Sequence, residues 1–390
     1  MLLLYIEENK KMIIQSKRVY IASAFVPAQI EIEDGVIRSI FDYDTKPVDQ
    51  DYGELRIVPG FYDVHTHGYH GYDATAGGKD GLKAWLKDLP MEGVCGICPT
   101  TLTQSHDTLK KAVAEIAEVK KEEPEGAEIL GIHFEGPYLD VKYKGAQPEE
   151  YIVKGTVEEF KEYQEACGGM IKLITMAPEH DEDFALTKYC ASTGVNVSIG
   201  HTDTTYETAV MAVANGARGF THTYNGMTAL SHRANGAVGA AFRCHDTYAE
   251  CICDGNHSTY AALNIFFREK QGYGIMITDS LMCKGYEVGS VFDFGGQDVE
   301  IYPDGSAHIT TGKKQLAGST LRVNEGLKIL VEKALVPFEI AIDAATINPM
   351  RYLRMDDHKG RILAGYDADI VVLNDDYSVK QTYCKGKAQL

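Results

Sequence analysis

The sequence has no excess of positive charge and no long apolar segment. Its 390 residues include 38 Lys and Arg against 56 Asp and Glu, a formal net charge of −18. Nucleic acids and anionic membranes both require a basic face, so we expect neither as a partner. No segment approaches the roughly 18 to 20 apolar residues that a membrane-spanning helix needs. Since G-x-G-x-x-G and P-loop motifs are also missing, no nucleotide cofactor is expected.

The cysteines do not form the pattern of a disulfide framework or a four-cysteine zinc site. There are nine, an odd number, with Cys95 and Cys98 in an isolated C-x-x-C and Cys251 and Cys253 two residues apart in an apolar run. Such residues are typical of buried, reduced thiols in strands. Reduced thiols indicate the cytoplasm as the compartment.

The first eleven residues, MLLLYIEENKK, have two interpretations. Their apolar run is only six residues long and acidic residues follow it, so it is too short for a signal peptide or a membrane span. The segment is either a leader before a start at Met12 or an additional edge strand.

Two β-rich ends flank a long stretch of alternating strands and helices. The N-terminal end alternates apolar and polar residues around a turn at Asp34-Gly35, which is a hairpin signal, and strand-like DIVVL and VKQTYCKG stand near the C-terminus. We predict that residues 1–57 and 356–390 build one small, discontinuous β-sandwich domain. Residues 58–355 would form a separate α/β domain.

The central stretch contains eight short apolar runs separated by helical spacers such as TLKKAVAEIAEVKK. Eight β/α units favour a closed, parallel (β/α)8 TIM-like barrel over an open sheet. After the eighth run, VEIYPDGSAHIT predicts a hairpin on the turn Pro303-Asp304-Gly305. The eight runs are RIVPGFYDVHTHG, VCGICPTT, EILGIHFEGP, IKLITMAPE, VNVSIGHTD, ARGFTHTYN, YAECICDGNH and GIMITDS.

Seven polar residues lie at or just beyond the C-terminal end of one of these runs. That end forms the mouth of a (β/α)8 barrel, where active sites are found. The recurrence therefore predicts that these side chains meet in one site. They are His65, His67, Glu135, His201, His222, His257 and Asp279.

The residue types and spacing in this set indicate a metal centre. His65 and His67 project to the same side of one strand, so both imidazoles could bind one ion, although an isolated H-x-H is a weak signal. Glu135, His201 and His222 offer one carboxylate and two imidazoles with open positions left for water and substrate, which is the pattern of a catalytic site.

Asp279 ends the eighth run, next to the first strand. A carboxylate beside a metal ion can take a proton from water and pass it to a leaving amine. The alternative is that Asp279 caps a helix, since Ser280 and a turn follow it. For His133, on the same strand as Glu135, we expect a hydrogen-bonded position in the core or behind the ligands.

The order of these residues resembles the amidohydrolase superfamily. Within it, the chain resembles the N-acetylglucosamine-6-phosphate deacetylase family from about Val58 to Leu373. The strings that carry this second resemblance are PGFYDVHTHG, GIHFEGPYL, IGHTD, THTYNGM, DGNH, ITDS, LAGST and NPMRYL, followed by KGRILAGYDADIVVL.

The resemblance implies an activity, a metal and a set of roles. The reaction would be hydrolysis of the acetamide of N-acetylglucosamine 6-phosphate to glucosamine 6-phosphate and acetate, with one or two divalent ions of Zn, Fe or Mn. Glu135, His201 and His222 would hold the hydrolytic ion, His65 and His67 a second ion, and Asp279 would be the general base and then the acid. The implied substrate-binding residues are Gln147, Asn225, Gly226, Arg233, His257, Leu316, Ala317, Gly318 and Ser319.

Arg233 corresponds to a family arginine that binds phosphate across the subunit interface, which implies a homodimer or a higher homo-oligomer. Two positions depart from the family pattern. Gln147, a neutral donor, replaces a histidine that helps to polarise the acetyl carbonyl, and the family's R-E-P-G is Arg233-Ala234-Asn235-Gly236 here.

These departures leave other functions open. The first alternative is a deacetylase for a different N-acetylated amino sugar. A cyclic-amide hydrolase of the dihydroorotase type is less favoured, because such enzymes usually use a carboxylated lysine where this chain has Glu135. A non-catalytic assembly barrel is disfavoured because all the candidate metal-binding and proton-transfer residues are present.

Overall fold

The structure, a computed structural model, describes residues 11–311 and 314–390. The two interpretations of the N-terminal segment concern residues 1–10, which lie outside the described residues. The strands in the described part are, in chain order, β1 (Met12–Ile21), β2 (Ala24–Glu33), β3 (Val36–Asp42), β4 (Gln50–Asp51), β5 (Arg56–Pro59), β6 (Phe61–Thr66), β7 (Gly68–Tyr69), β8 (Tyr72–Asp73), β9 (Val94–Thr101), β10 (Glu128–Ile129), β11 (Ile132–Glu135), β12 (Ile171–Met176), β13 (Asn196–Ile199), β14 (Gly219–Phe220), β15 (Tyr248–Ile252), β16 (Gly274–Ile277), β17 (Val291–Phe294), β18 (Gln297–Ile301), β19 (Ala307–Ile309), β20 (Ile370–Leu373), β21 (Val379–Cys384) and β22 (Lys387–Ala388).

In the described part of the chain, one α-helix follows each barrel strand, and two more helices come after the eighth β/α unit. In chain order they are α1 (Gly78–Asp88), α2 (His106–Lys121), α3 (Val157–Ala166), α4 (Ala185–Ser192), α5 (Tyr206–Ala214), α6 (Gly236–Arg243), α7 (Tyr260–Glu269), α8 (Val323–Lys328), α9 (Phe338–Ala345) and α10 (Ile347–Leu353). Within residues 11–311 and 314–390, no helix combines the length and the apolar character needed to cross a membrane.

The predicted (β/α)8 barrel is confirmed. Its strands pair in parallel in the order β6-β9-β11-β12-β13-β14-β15-β16. The ring is nearly closed where β16 returns to β6, because the backbone N–H of Asp279 donates to the carbonyl of His65 at 2.9 Å. All eight C-terminal strand ends therefore open at one face, where the candidate site residues lie.

Several barrel helices begin at a Ser or Thr that follows the loop at this face. The side chain of Ser105 accepts a hydrogen bond from the backbone N–H of Thr108, and Thr156, Thr205 and Thr259 cap the helices that follow them in the same way. Such caps satisfy N–H groups that a helix leaves unpaired at its start. The capped helix ends fix the loops that carry the site.

The two ends of the chain combine in one β-domain, as predicted. Hydrogen bonds join its strands into a single mixed sheet, in the order β22-β21-β20-β5-β1-β2-β3, with β4 beside β1. The sheet curls until the β2–β3 turn meets the C-terminal strands, since the N–H of Ala368 donates to Gly35 at 2.8 Å. The predicted sandwich is thus one curled sheet, and its inner face holds an apolar core.

Strand β5 crosses the predicted domain boundary at residue 57. Strand β5 runs to Pro59 and pairs with both β1 and β20. We propose to place the boundary after Pro59, so that residues 11–59 and 356–390 form the β-domain and the barrel begins at Gly60.

The segment after β16 forms the predicted hairpin of β18 and β19, with β17 as a third antiparallel strand. Phe294, Val299 and Ile301 of this small sheet pack against Leu102 and Leu281 of the barrel loops. The sheet therefore covers one side of the barrel mouth.

Candidate active site

A cavity of about 320 Å³ opens at the C-terminal ends of the barrel strands. It brings together most of the residues that the sequence singles out, although they come from strands far apart in the chain. Twelve of them line it: His67, Glu135, Gln147, His201, His222, Asn225, Gly226, His257, Asp279, Leu316, Ala317 and Gly318. His65 contacts this set from below and is fully buried.

Glu135 lies at the centre of the cavity floor, between two pairs of histidines. Its Oε1 is 3.2 Å from Nε2 of His201 and 3.3 Å from Nε2 of His222. On the other side, Oε2 is 3.1 Å from Nε2 of His67, and Oε1 is 3.4 Å from Nε2 of His65. One carboxylate is thus shared by all four imidazoles.

In each of these four rings, Nδ1 contacts a hydrogen-bond acceptor on the side away from Glu135. The acceptors are the backbone carbonyls of Thr100 for His67, Tyr143 for His201 and Asn225 for His222, and the carboxylate of Glu250 for His65. A ring that donates its Nδ1 proton keeps a lone pair on Nε2. Four Nε2 lone pairs therefore converge on Glu135, the arrangement in which histidine binds metal.

The residues present fit a bound cation. Nε2 of His201 and Nε2 of His222 are only 3.1 Å apart. Nε2 of His65 is buried and has no hydrogen-bond partner among the described residues. Two geometric ligand sets face the cavity, Glu135 with His201 and His222, and His65 with His67 and Asp279, and a third set, His65 with His133 and Glu250, lies behind it.

The electrostatics also favour positive charge here. Burial lowers the pKa of His67, but hydrogen bonds to Asp279 and Glu135 outweigh it and raise that pKa to about 10. Burial opposes the ionisation of Glu135, but the imidazoles, His65 first, hold its pKa well below its ordinary value. The cavity floor thus holds the ionised carboxylate of Glu135 next to the histidine nitrogens.

Three site residues have an unusual backbone conformation immediately after their strands. The φ angles of His201, His222 and Asp279 are 46°, 27° and 50°. Residues with a Cβ adopt this left-handed region uncommonly, and its backbone strain is one feature of active sites. The turn aims each side chain into the cavity at the point where the strand ends.

Asp279 lies against the histidine pair of β6. Its Oδ1 is 3.2 Å from Nε2 of His67 and 3.5 Å from Nε2 of His65. The helix-cap alternative is excluded, because the next helix, α8, begins only at Val323. Asp279 therefore faces the cavity next to the proposed ions, where it can receive and return a proton.

Behind the ligands lies a layer of buried polar groups. His133 is hydrogen-bonded on both sides, to the Val64 carbonyl at 3.0 Å and to the Thr175 hydroxyl at 2.7 Å, which is the core position that the sequence suggests. Asp63 accepts a hydrogen bond from the Thr278 hydroxyl, and burial raises its pKa to about 6. Neither residue reaches the cavity.

The cavity wall holds the polar groups that the sequence assigns to substrate. Nδ2 of Asn225 is buried with no partner among the described residues, so a hydrogen-bond donor is free there. Asp254 holds Nδ1 of His257 at 2.7 Å, which leaves Nε2 as an acceptor. Gly226 has φ 60°, and an added Cβ would lie 3.1 Å from Nδ1 of His201, so a larger residue would crowd that ring.

Gln147 has two contacts that the sequence does not reveal. Its Nε2 donates to Oε2 of Glu135 at 2.7 Å, and its Oε1 accepts from the backbone N–H of Thr103 at 2.8 Å. Gln297 and Gln315, from the segment after β16, hold the same loop through the carbonyls of Ala146 and Gly145. Nε2 of Gln147 therefore keeps a second proton that the contact with Glu135 does not use.

Two predicted substrate residues do not line the cavity. The hydroxyl of Ser319 is buried and donates to the carbonyl of Thr278. Arg233 is exposed in the loop between β14 and α6.

Sequence reasoning missed Lys142 and Glu250. Lys142 lines the cavity and pairs with Asp203 at 2.8 Å, and its only signal is a basic residue in the loop after Glu135. The sequence signal for Glu250 is a single carboxylate inside an otherwise apolar strand. It lies on the same strand face as Ile252, which lines the cavity.

The sequence matches the amidohydrolase family over residues 56–388. It is 37% identical to the N-acetylglucosamine-6-phosphate deacetylase of Bacillus subtilis (strain 168) over 335 residues, which are 85% of this chain and 83% of the relative. It is 30% identical to the N-acetylgalactosamine-6-phosphate deacetylase of Escherichia coli O157:H7, over 92% of this chain and 94% of the relative.

A solved structure shares the whole architecture. It is a mutant of the N-acetyl-D-glucosamine-6-phosphate deacetylase from Mycobacterium smegmatis, in complex with N-acetyl-D-glucosamine-6-phosphate. The TM-score is 0.92 at 25% sequence identity, and the match covers 98% of this chain and 100% of the other.

Proposed function

The chain belongs to the amidohydrolase family, and on that basis we propose that it hydrolyses the acetamide of N-acetylglucosamine 6-phosphate to glucosamine 6-phosphate and acetate. The observation that carries this proposal is Glu135, shared by four imidazole Nε2 atoms beside Asp279 in one cavity. Relatives that align over most of the chain are deacetylases of N-acetylated amino sugar 6-phosphates.

Two sets of ligands would hold the metal. Glu135, His201 and His222 would hold the first ion, and His65 and His67 a second, with Asp279 beside these two imidazoles. A divalent ion of Zn, Fe or Mn supplies Lewis acidity, which makes water a better nucleophile and an amide carbonyl a better electrophile. Imidazole and carboxylate together suit all three metals.

Asp279 would move the proton. It would accept a proton from the attacking water and return it to the nitrogen of the departing amine, since its Oδ1 faces the cavity beside His67. Gln147 would orient Glu135 and offer its remaining N–H to the acetyl group.

The rest of the wall would bind the sugar. Nδ2 of Asn225 is a donor without a partner among the described residues and suits a sugar hydroxyl or phosphate oxygen, while His257 presents an acceptor that suits a sugar hydroxyl. Leu316, Ala317 and Gly318 line the opposite side. Ser319 would act from behind, by fixing the turn at Thr278.

The phosphate requires positive charge in a chain whose net charge is −18. Among the residues that the structure describes, Lys142 is the one Lys or Arg side chain that lines the cavity. Arg233 is exposed outside it, so a contact with phosphate would come from a neighbouring subunit. We propose a homodimer or a higher homo-oligomer in which Arg233 completes the partner's site.

We propose that the protein acts in the cytoplasm. All nine cysteines lie within the described residues and are free thiols, eight of them buried. Unpaired cysteines in this number are typical of a reducing compartment.

The test is acetate release from a panel of N-acetyl sugars. N-acetylglucosamine and N-acetylgalactosamine should each be assayed with and without the 6-phosphate. The highest kcat/KM on N-acetylglucosamine 6-phosphate supports the proposal. Preference for the galactosamine epimer would establish the second candidate, and no release from any substrate by metal-loaded protein would refute both.

A further inference from the structure

We propose that Glu250 is a positioning residue for the second metal ion, and that it acts through His65. This inference rests on the proposed metal-dependent function. Oε2 of Glu250 lies 2.9 Å from Nδ1 of His65, and the side chains of both residues are at most 1% exposed. A buried carboxylate that accepts the Nδ1 proton of a ligating histidine fixes its ring and makes Nε2 more basic.

The contact sets His65 apart from the other three imidazoles. Their Nδ1 atoms contact neutral backbone carbonyls, of Thr100, Tyr143 and Asn225. Through Nδ1, His65 alone among them contacts a side-chain carboxyl group, which can draw the Nδ1 proton more strongly than a backbone carbonyl does. That Nε2 is buried and without a partner among the described residues, and it belongs to the ligand set with His67 and Asp279.

Glu250 lies behind the cavity wall, against His65. It lies on β15, whose neighbours β14 and β16 lead to His222 and Asp279, while Glu250 itself does not line the cavity. Its backbone carbonyl accepts from the N–H of Thr223 at 2.8 Å, which fixes the strand at that point. Its Oε1 is buried and unpartnered in the described part of the chain.

A carboxylate buried without a cation partner is costly, and such a residue inside a barrel requires a compensating interaction. The proposed ion beyond His65 provides one. Glu135 and Asp279 alone offer little negative charge to two divalent ions in a buried site. A third carboxylate behind His65 adds charge to the His65–His67 position without occupying a coordination site.

The experiment titrates metal-free protein with Mn²⁺ and measures binding by equilibrium dialysis and by the electron paramagnetic resonance signal of an exchange-coupled pair. Wild-type protein should bind two ions. Glu250→Gln keeps the volume of the side chain and an oxygen acceptor but removes the charge. It should retain the first ion and bind the second about 10- to 100-fold more weakly, with loss of the coupled signal.

The controls separate this role from a structural one. Glu128→Gln makes the same chemical change on β10, in a carboxylate that pairs with Lys359 and Lys385 away from the cavity, and should leave both ions bound. In a His65→Ala background, Glu250→Gln should have no further effect on Mn²⁺ affinity. If Glu250→Gln does not fold, Glu250→Asp, which keeps the charge at a longer distance, should weaken the same ion by a smaller factor.

The proposal is overturned if the second Mn²⁺ binds a folded Glu250 variant with wild-type affinity, if both ions weaken equally, or if wild-type protein binds one ion only. These outcomes do not depend on the substrate. Failure of wild-type protein to release acetate would refute the proposed function and leave the Mn²⁺ titration as a separate result.

Discussion

Nε2 of His201 lies 3.1 Å from Nε2 of His222, although both rings direct Nδ1 to a backbone carbonyl. Two lone pairs cannot face each other at this distance without a positive charge between or beside them. Oε1 of Glu135, within 3.3 Å of both nitrogens, completes a site for a cation. The geometry therefore connects metal binding to both activity and stability.

Removal of the metal should abolish acetate release and lower the melting temperature. A ligand that binds only the folded state stabilises it in proportion to the logarithm of its concentration over Kd. After treatment with a strong chelator, a colorimetric assay measures acetate release and calorimetry measures the melting temperature. Added Zn²⁺, Fe²⁺ or Mn²⁺ should restore both to their original values. Full activity in protein shown to be metal-free by elemental analysis would contradict the proposed mechanism.

Asp279→Asn should leave the fold and the ion held by Glu135, His201 and His222 unchanged but lower kcat by about 10²- to 10⁴-fold, the usual contribution of a general acid–base group. The amide has nearly the same shape but cannot accept the proton. Steady-state kinetics on N-acetylglucosamine 6-phosphate provide the measurement. A variant within threefold of wild type would show that another group carries the proton.

The double variant His65→Ala/His67→Ala should lose one ion and retain the other. Glu135, His201 and His222 remain as a complete ligand set, whereas the second set keeps only Asp279. Inductively coupled plasma mass spectrometry should give about one ion per chain fewer than wild type. Equal metal content in the two proteins would show that the H-x-H pair holds no ion.

The order of the barrel strands and the convergence of the ligands were predictable from sequence. Each barrel strand is a short apolar run, and the polar residue that follows it must lie at the mouth once the strands are parallel. His65, Glu135, His201 and Asp279 were found in this way. Even β14, which is only two residues long in the structure, was recognised, because His222 and the turn residues bound its run.

The remaining features depend on tertiary contacts that leave no local pattern. Glu250 is one carboxylate in an apolar strand, and only the closed barrel places it against His65. The loop after Glu135 places Gln147 against that carboxylate because Gln297 and Gln315, more than a hundred residues later, hold its backbone. The β-domain was predicted as a sandwich because alternation reveals a buried face but not which strands share hydrogen bonds.

Lys142→Gln should weaken binding of the phosphorylated sugar more than that of the unphosphorylated one. The ammonium of Lys142 is 2.8 Å from Asp203. The Lys142 side chain is 65% exposed, so it can turn towards a phosphate dianion at the rim of the cavity. A charge-assisted contact contributes ~1.5 to 3 kcal/mol, so KM for the 6-phosphate should rise about 10- to 100-fold. Lys144→Gln, in the same loop but outside the cavity lining, is the matched control, and equal effects of the two variants would exclude a specific contact.

Arg233 should bind the substrate phosphate of a neighbouring subunit. The side chain is exposed, does not line the cavity of its own chain, and lies in the segment 229–235 that projects between β14 and α6. Arginine suits phosphate because its planar guanidinium makes two parallel hydrogen bonds. A solvated surface arginine is the competing interpretation, and a control at Arg268, which is exposed on α7, distinguishes the two.

Arg233→Ala should raise KM for N-acetylglucosamine 6-phosphate about 10- to 100-fold and hardly change hydrolysis of the unphosphorylated sugar, because only the phosphate contact is lost. Arg268→Ala should change neither. Mixing inactive Asp279→Asn subunits with Arg233→Ala subunits should recover activity at low substrate concentration, since a hybrid dimer has one site with an intact Asp279 and an intact Arg233 from its partner. The recovered activity should increase as the subunits exchange. Light scattering would measure the oligomeric state, and repeated kinetic assays would measure the recovery over time. A protein that is monomeric in solution and fully active on the phosphorylated sugar would leave Arg233 without this role, because no partner would be present to supply it.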